Sequence, residues 1–313
     1  MIPNRWRAVF YVLLACGLFT TVIAISRVVS ETIPVSTILF FQYFISMILL
    51  LPWMLQQGGK SLYLSKIGVI VIRSVAGYLN YAFIFFAVKH IPLVNVVLLN
   101  NAAPIFIPLI IWMWKKVRIS RKLWMGIMVG FVGIAIILRP TNSFINIGSL
   151  FALGSAVCVS ISMITQRRLV KSESVYTISF YYFLISSIIS LPFMLERWEP
   201  IDQTTMLLLG VTGVMFVSGQ YFFLSAFKYE KPTYLGSFSY SAIVYGLLIE
   251  WLVWKQFPGW VSLMGIVIVC AGGLITIRQG GRRGLSSRKP EEVEEKKAKV
   301  PPLTAPEEDQ SSN

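Results

Sequence analysis

The chain has 313 residues, 56% of them apolar and 13% charged. A chain this apolar cannot hide its hydrophobic side chains in a water-soluble globule, so composition excludes a soluble enzyme, a secreted disulfide scaffold and a disordered protein. The formal charge of +14 would suggest nucleic acid in a soluble protein, but here the basic residues lie between hydrophobic runs, where they mark topology.

A spanning helix needs about 20 mostly apolar residues. Such runs lie at 8–27, 34–55, 67–88, 92–114, 122–139, 147–166, 175–195, 204–227, 232–254 and 259–278, which predicts an all-α integral membrane protein with ten transmembrane helices. The first run follows basic residues, but no small-residue cleavage site closes it, so it reads as a span and not a removed signal. Pro34, Pro92, Pro232 and Pro258 stand at the starts of runs, where a missing N–H costs least. Cys16, Cys158 and Cys270 fall in separate apolar runs without metal or redox spacing and read as small core residues.

With the N-terminus set in the cytoplasm, the inner segments carry 17 Lys and Arg, at 5–7, 60–66, 115–122, 167–171, 228–231 and 278–283. The outer segments carry 5: Arg27, Lys89, Arg139, Arg197 and Lys255. That asymmetry predicts a multi-pass protein of the cell (inner) membrane with both termini cytoplasmic. From Gly280 the composition turns to Gly, Ser, Pro, Lys and Glu, so 280–313 is expected to be a disordered cytoplasmic tail.

The two halves also resemble each other. Residues 34–55 and 174–195 are identical at 11 of 22 positions, including Ser46, Pro52 and Met54 with their partners. A shift of 139 then pairs 83–139 with 222–278, matching Lys89, Trp112, Gly126, Gly133 and Arg139 among others. Five spans per half is an odd number, so the second half enters the membrane from the opposite side, and the fold is expected to be two inverted five-helix repeats with a solute site between them near mid-membrane.

The run Val129-Gly130-Phe131-Val132-Gly133-Ile134-Ala135-Ile136-Ile137-Leu138-Arg139-Pro140 resembles the fifth helix of EamA-type permeases in the drug/metabolite transporter superfamily. Ala87-Val88-Lys89-His90-Ile91-Pro92 and Phe257-Pro258, with Gly265, Gly272 and Gly273 beyond, are similar to further parts of that pattern. The resemblance covers about residues 8–279 and implies EamA-like repeats at 1–140 and 141–279. Where the family commonly has a Gly-Glu pair at the ends of helices 4 and 9, this chain has Lys116-Val117 and Lys255-Gln256, so no role is carried over for those acids. Within the family, 167–192, with Glu173 and Ser174 opening helix 7, looks similar to S-adenosylmethionine uptake carriers.

Polar groups at bilayer depth are costly unless paired or facing a cavity, so they are the candidate substrate-binding residues. They are Gln42 in helix 2, Asn80 and Tyr81 in helix 3, Asn100 and Asn101 in helix 4, Gln220 in helix 8, and Ser239 and Tyr240 in helix 9. The repeat shift sets Gln220 opposite Tyr81 and Ser239-Tyr240 opposite Asn100-Asn101. Pro104 leaves the carbonyl of residue 100 without an N–H partner, freeing an acceptor beside Asn100. The plainer reading is that these side chains glue helices together.

Two charges lie within the runs. Glu250, four residues from the outer end of helix 9, either reaches the interface or attracts a cation and takes part in coupling. Arg73, about two turns from the inner end of helix 3, either snorkels to the cytoplasm or meets a substrate carboxylate or phosphate. The sole histidine, His90, has no metal-spaced partner, and no catalytic constellation or phosphate loop is present.

The expected function is therefore a secondary transporter that moves a small organic metabolite by alternating access, S-adenosylmethionine uptake being one candidate. An amino-acid or metabolite/drug exporter of the same fold is the alternative, and an intramembrane lipid-processing enzyme or subunit the alternative from another class. The expected partners are a small-molecule solute and the lipid bilayer, with a homodimer allowed; no nucleic acid, cofactor, metal or catalytic residue is expected.

Overall fold

The computed structural model describes residues 4–56, 66–115, 118–119, 121–138, 146–229, 235, 238–256, 259–281 and 285–286. Its helices are α1 (Asn4–Val29), α2 (Val35–Gln56), α3 (Ile67–Val88), α4 (Leu93–Asn100), α5 (Ala103–Lys115), α6 (Arg121–Leu138), α7 (Ile147–Leu169), α8 (Val175–Glu196), α9 (Gln203–Tyr229), α10 (Ser241–Trp254) and α11 (Trp260–Gly281). Seven stretches are long and apolar enough to cross a membrane, with α4 and α5 counting as one of them, and shorter apolar helices cover Leu123–Ile136, Phe238–Trp254 and Leu263–Thr276. Together they occupy the ten expected runs.

The outer surface of the bundle is apolar. Leu207 is 69% exposed, Met113 71% and Val267 67%, as suits side chains whose solvent is lipid and not water. Inside, α6 packs most closely on α11, α3 on α7, α1 on α9 and α2 on α8, while α4 rests on α7 and α10. The α6–α11 crossing is backbone to backbone: a Cβ on Gly272 would strike the main chain of Gly130 and come within 2.9 Å of the Gly126 carbonyl. Without water to drive apolar surfaces together, such close approach is what lets membrane helices gain dispersion energy from one another.

Three boundaries differ from the sequence expectation. The first span runs from Asn4 to Val29, which brings Arg27 inside a helix instead of leaving it in an outer segment. The fourth span is broken between α4 and α5. The ninth begins with a 3-10 turn at Phe238–Tyr240 leading into α10.

Most of the 280–313 tail lies outside the described residues, as do Lys116-Val117 and Phe257-Pro258. Leu285–Ser286 are described: as β2 they pair antiparallel with Arg118–Ile119, β1, in the register Arg118↔Ser286 and Ile119↔Leu285.

Candidate functional site

The break in the fourth span organises the site. Pro104 has no N–H to give the carbonyl of Asn100, and a proline is well placed in the first turn of a helix, so the chain ends α4 at Asn100 and restarts at Ala103. The N–H of Ala102 bonds the carbonyl of Leu99 at 3.1 Å and that of Asn101 the carbonyl of Val97 at 3.0 Å, tightening the last turn. The side chains then diverge. Asn101 turns back, its Nδ2 donating to the carbonyl of Val97 at 2.8 Å. Asn100 reaches across, its Nδ2 donating to Asn80 Oδ1 on α3 at 2.7 Å and to Ser155 Oγ on α7 at 3.0 Å. Asn100 thus ties α3, α4 and α7 together beside the break.

A cavity of about 120 Å³ opens at this junction. On α1 it is lined by Cys16, Phe19, Thr20 and Ile23, and on α7 by Val159, Ser162, Met163 and Gln166. Both stripes have the i, i+3, i+4, i+7 spacing that puts four side chains on one helix face. Asn80, Tyr81, Asn100, Asn101, Gln220 and Ser239 all line it, so six of the eight expected binding residues converge on one space. Arg73, Gly77 and Tyr182 complete the wall beneath Asn80.

Two expected binding residues do not line this cavity. Gln42 is fully buried on α2, and its Oε1 and Nε2 have no partner among the described residues. Tyr240 points its ring into α11, where the hydroxyl lies against Gly273 and meets no hydrogen-bond partner among the described residues. Of the two neighbours in the 3-10 turn, Ser239 lines the cavity and Tyr240 does not.

Neither charged candidate reaches the membrane surface. Arg73 does not snorkel, since it is only 3% exposed. Its guanidinium carbon lies 3.8 Å over the ring of Tyr182, whose hydroxyl is 3.1 Å from that of Tyr43, which in turn donates to the carbonyl of Gly77 at 3.4 Å. Glu250 is 1% exposed and does not reach an interface; its Oε1 accepts from Arg27 Nη1 at 2.9 Å, and Arg27 also sits 4.3 Å over the ring of Trp254. Paired in this way, Glu250 and Arg27 together present no net charge with which to attract a cation.

Tyr182, Gln166 and the Ser162–Met163 face were not expected. Gln166 closes the sixth run next to Arg167 and Arg168, where it reads as the start of a basic loop. The α7 stripe could have been found by testing that run for small and polar residues at helical spacing.

The family model for the EamA-like transporter family matches the chain twice, at residues 6–139 and 146–278. The chain belongs to the EamA-like transporter family. Pseudopaline exporter CntI of Pseudomonas aeruginosa is 28% identical over 267 residues, covering 84% of this chain and 94% of its own. S-adenosylmethionine uptake transporter of Rickettsia prowazekii is 24% identical over 249 residues, covering 80% and 84%, and a riboflavin transporter of Vibrio cholerae is 25% identical over 248 residues, covering 78% and 83%. A crystal structure of a protein with 18% identity superposes with a TM-score of 0.62 over 88% of this chain and 98% of that one, a likeness of fold. These relatives are transporters of small metabolites, and this EamA-like chain is a multi-pass membrane transporter of that kind.

One departure from the EamA-type pattern has a structural counterpart. Lys255, aligned with the glycine of the familiar Gly-Glu pair, caps α10 with φ 55° and ψ 21°, a left-handed conformation. Glycine takes that conformation without strain, whereas lysine costs roughly 1 kcal/mol there.

Proposed function

We propose that this EamA-like chain is a secondary carrier of the cell inner membrane. It has two inverted five-helix repeats, 1–140 and 141–279, both termini cytoplasmic, and its solute site is the cavity at the α4–α5 break. The observation that carries the reading is the origin of the lining: Tyr81 and Asn100 from the first half face the same space as their repeat partners Gln220 and Ser239 from the second. A pseudo-twofold axis through that space would produce this convergence.

The packing supports the same symmetry. The first span lies on the eighth and the third on the sixth, each the image of the other when the halves are exchanged, while the second lies on the seventh and the fifth on the tenth. The β1–β2 pairing supports a C-terminus on the same side as the segment between the fourth and fifth spans. Both are expected on the basic, cytoplasmic side.

At about 120 Å³ the cavity is smaller than the roughly 300–1,000 Å³ of a site enclosing a drug-sized ligand, so a metabolite enters only when the halves separate. S-adenosylmethionine uptake is the first activity to test, given the rickettsial relatives. Export is the second reading, and the similarity to the pseudopaline exporter favours it. An intramembrane hydrolytic enzyme would need a carboxylate or histidine beside its substrate, whereas the described lining residues offer neither and Glu250 is bound to Arg27.

The test uses Cys16, which lines the cavity. In a Cys158→Ser/Cys270→Ser background, a membrane-impermeant maleimide should label Cys16 in both right-side-out and inside-out vesicles, with a transported solute shifting the balance. Reactivity from one side only under every condition would rule out alternating access. Uptake and efflux of labelled metabolites in the same vesicles then give substrate and direction.

A further inference from the structure

We infer that Arg73 is the docking point for a carboxylate on the transported solute, so that the carrier takes metabolites bearing a single carboxylate, whether monoanions or zwitterions. This rests on the cavity being the transport site, and it adds to that reading the class of solute.

Arg73 is buried, yet its Nε and Nη1 meet no acceptor among the described residues. Its titratable neighbours are Tyr182, Tyr43 and Tyr81, none of which carries a negative charge at neutral pH. A guanidinium can only donate, and a buried, uncompensated one is among the most costly groups a membrane bundle can hold. Stacking on Tyr182 and a polar contact with it offset part of that cost, but they leave Nε and Nη1 without an acceptor among the described residues.

The position is also shaped for the guanidinium. A Cβ at Gly77, one turn beyond Arg73, would lie 2.7 Å from Nη1 and 2.6 Å from Tyr182 Cε2, so the slot exists only because residue 77 has no side chain. Tyr43 fixes the stacking ring from behind through the 3.1 Å contact between hydroxyls. The remaining orphaned buried polar atoms on the cavity wall are Gln166 Nε2 and Gln220 Nε2, two amides that can turn either end to a ligand. A cluster of unused donors with one positive charge is complementary to one carboxylate, whose two oxygens take a guanidinium side-on. A phosphate dianion would bring twice the charge that the described wall neutralises.

The experiment uses the full-length Cys158→Ser/Cys270→Ser protein in lipid nanodiscs and follows the rate at which N-ethylmaleimide labels Cys16. The probes are S-adenosylmethionine, L-methionine and N-acetyl-L-methionine, the methyl esters of the two methionine compounds, and methyl phosphate. Carboxylates should slow labelling and their esters should need about 10- to 100-fold higher concentration, the range expected for losing a charge-assisted hydrogen bond. Arg73→Gln should abolish the distinction between acid and ester, and Arg73→Lys should retain part of it.

Thermal unfolding separates this role from a structural one. Its one described partner is the neutral Tyr182, which Arg73→Met leaves without stranding a charge, so that variant should unfold at the same temperature as the parent or higher. Esters protecting as well as acids, methyl phosphate protecting better than any carboxylate, no carboxylate protecting at all, or an Arg73→Met variant that unfolds at lower temperature would each overturn the inference. Because labelling reports occupancy without translocation, those outcomes count against Arg73, whereas failure of the two-sided access test counts against the carrier.

Discussion

Arg27 and Glu250, 223 positions apart in the chain, meet through a 2.9 Å hydrogen bond between Nη1 and Oε1, with Glu250 1% exposed. The pair joins α1 to α10, and the Trp254 ring covers the arginine. Each charge is tolerable at that depth because the other is there.

Removing one partner strands the other. Glu250→Gln or Arg27→Gln alone should destabilise the protein by about 3–5 kcal/mol, the cost of an uncompensated buried charge, while Arg27→Gln/Glu250→Gln should recover a large part of that loss. Unfolding of the three variants in the same lipid checks this, and single and double effects that simply add would show that the two charges are not coupled.

Tyr240 should tolerate loss of its hydroxyl. Tyr240→Phe removes a buried oxygen that has no partner among the described residues, so it should be neutral or stabilising by about 1 kcal/mol and leave uptake unchanged. Gly273→Val, by contrast, puts methyl groups where the Tyr240 ring lies and should cost about 1–3 kcal/mol or more. Uptake that fell in Tyr240→Phe would return this residue to the site.

Asn100→Leu should abolish uptake. Its bonds to Asn80 and Ser155 shape the cavity wall, yet such interhelical bonds average only about 0.6 kcal/mol each in membrane proteins, so abundance in the membrane should stay within about twofold of the parent. Normal transport by this variant would assign Asn100 to helix packing alone.

Topology can be read with reporters. Fusions after residue 283 and within 60–66 should report cytoplasmic, and one within 197–202 external, as the basic asymmetry requires. A C-terminus found outside would break the inverted-repeat reading and, through the β1–β2 pairing, move the segment at Arg118 with it.

The ten runs, the basic asymmetry and the matched positions of the two halves were legible in the sequence, because a bilayer imposes length and polarity on each span separately. The polar residues worth following were legible for the same reason, since a polar side chain in hydrocarbon needs a partner or a cavity wherever its helix lies, and six of the eight line one cavity. The tertiary structure alone decided which faces meet. A membrane helix is apolar toward lipid and toward its neighbours alike, so periodicity did not reveal that Glu250 finds Arg27 or that Arg73 lies over Tyr182. At the 3-10 turn before α10, likewise, Tyr240 lies against Gly273 while Ser239 lines the cavity. Those contacts join residues far apart in the chain, and they follow from how whole helices rotate and cross, a property of the packed bundle and not of any one span.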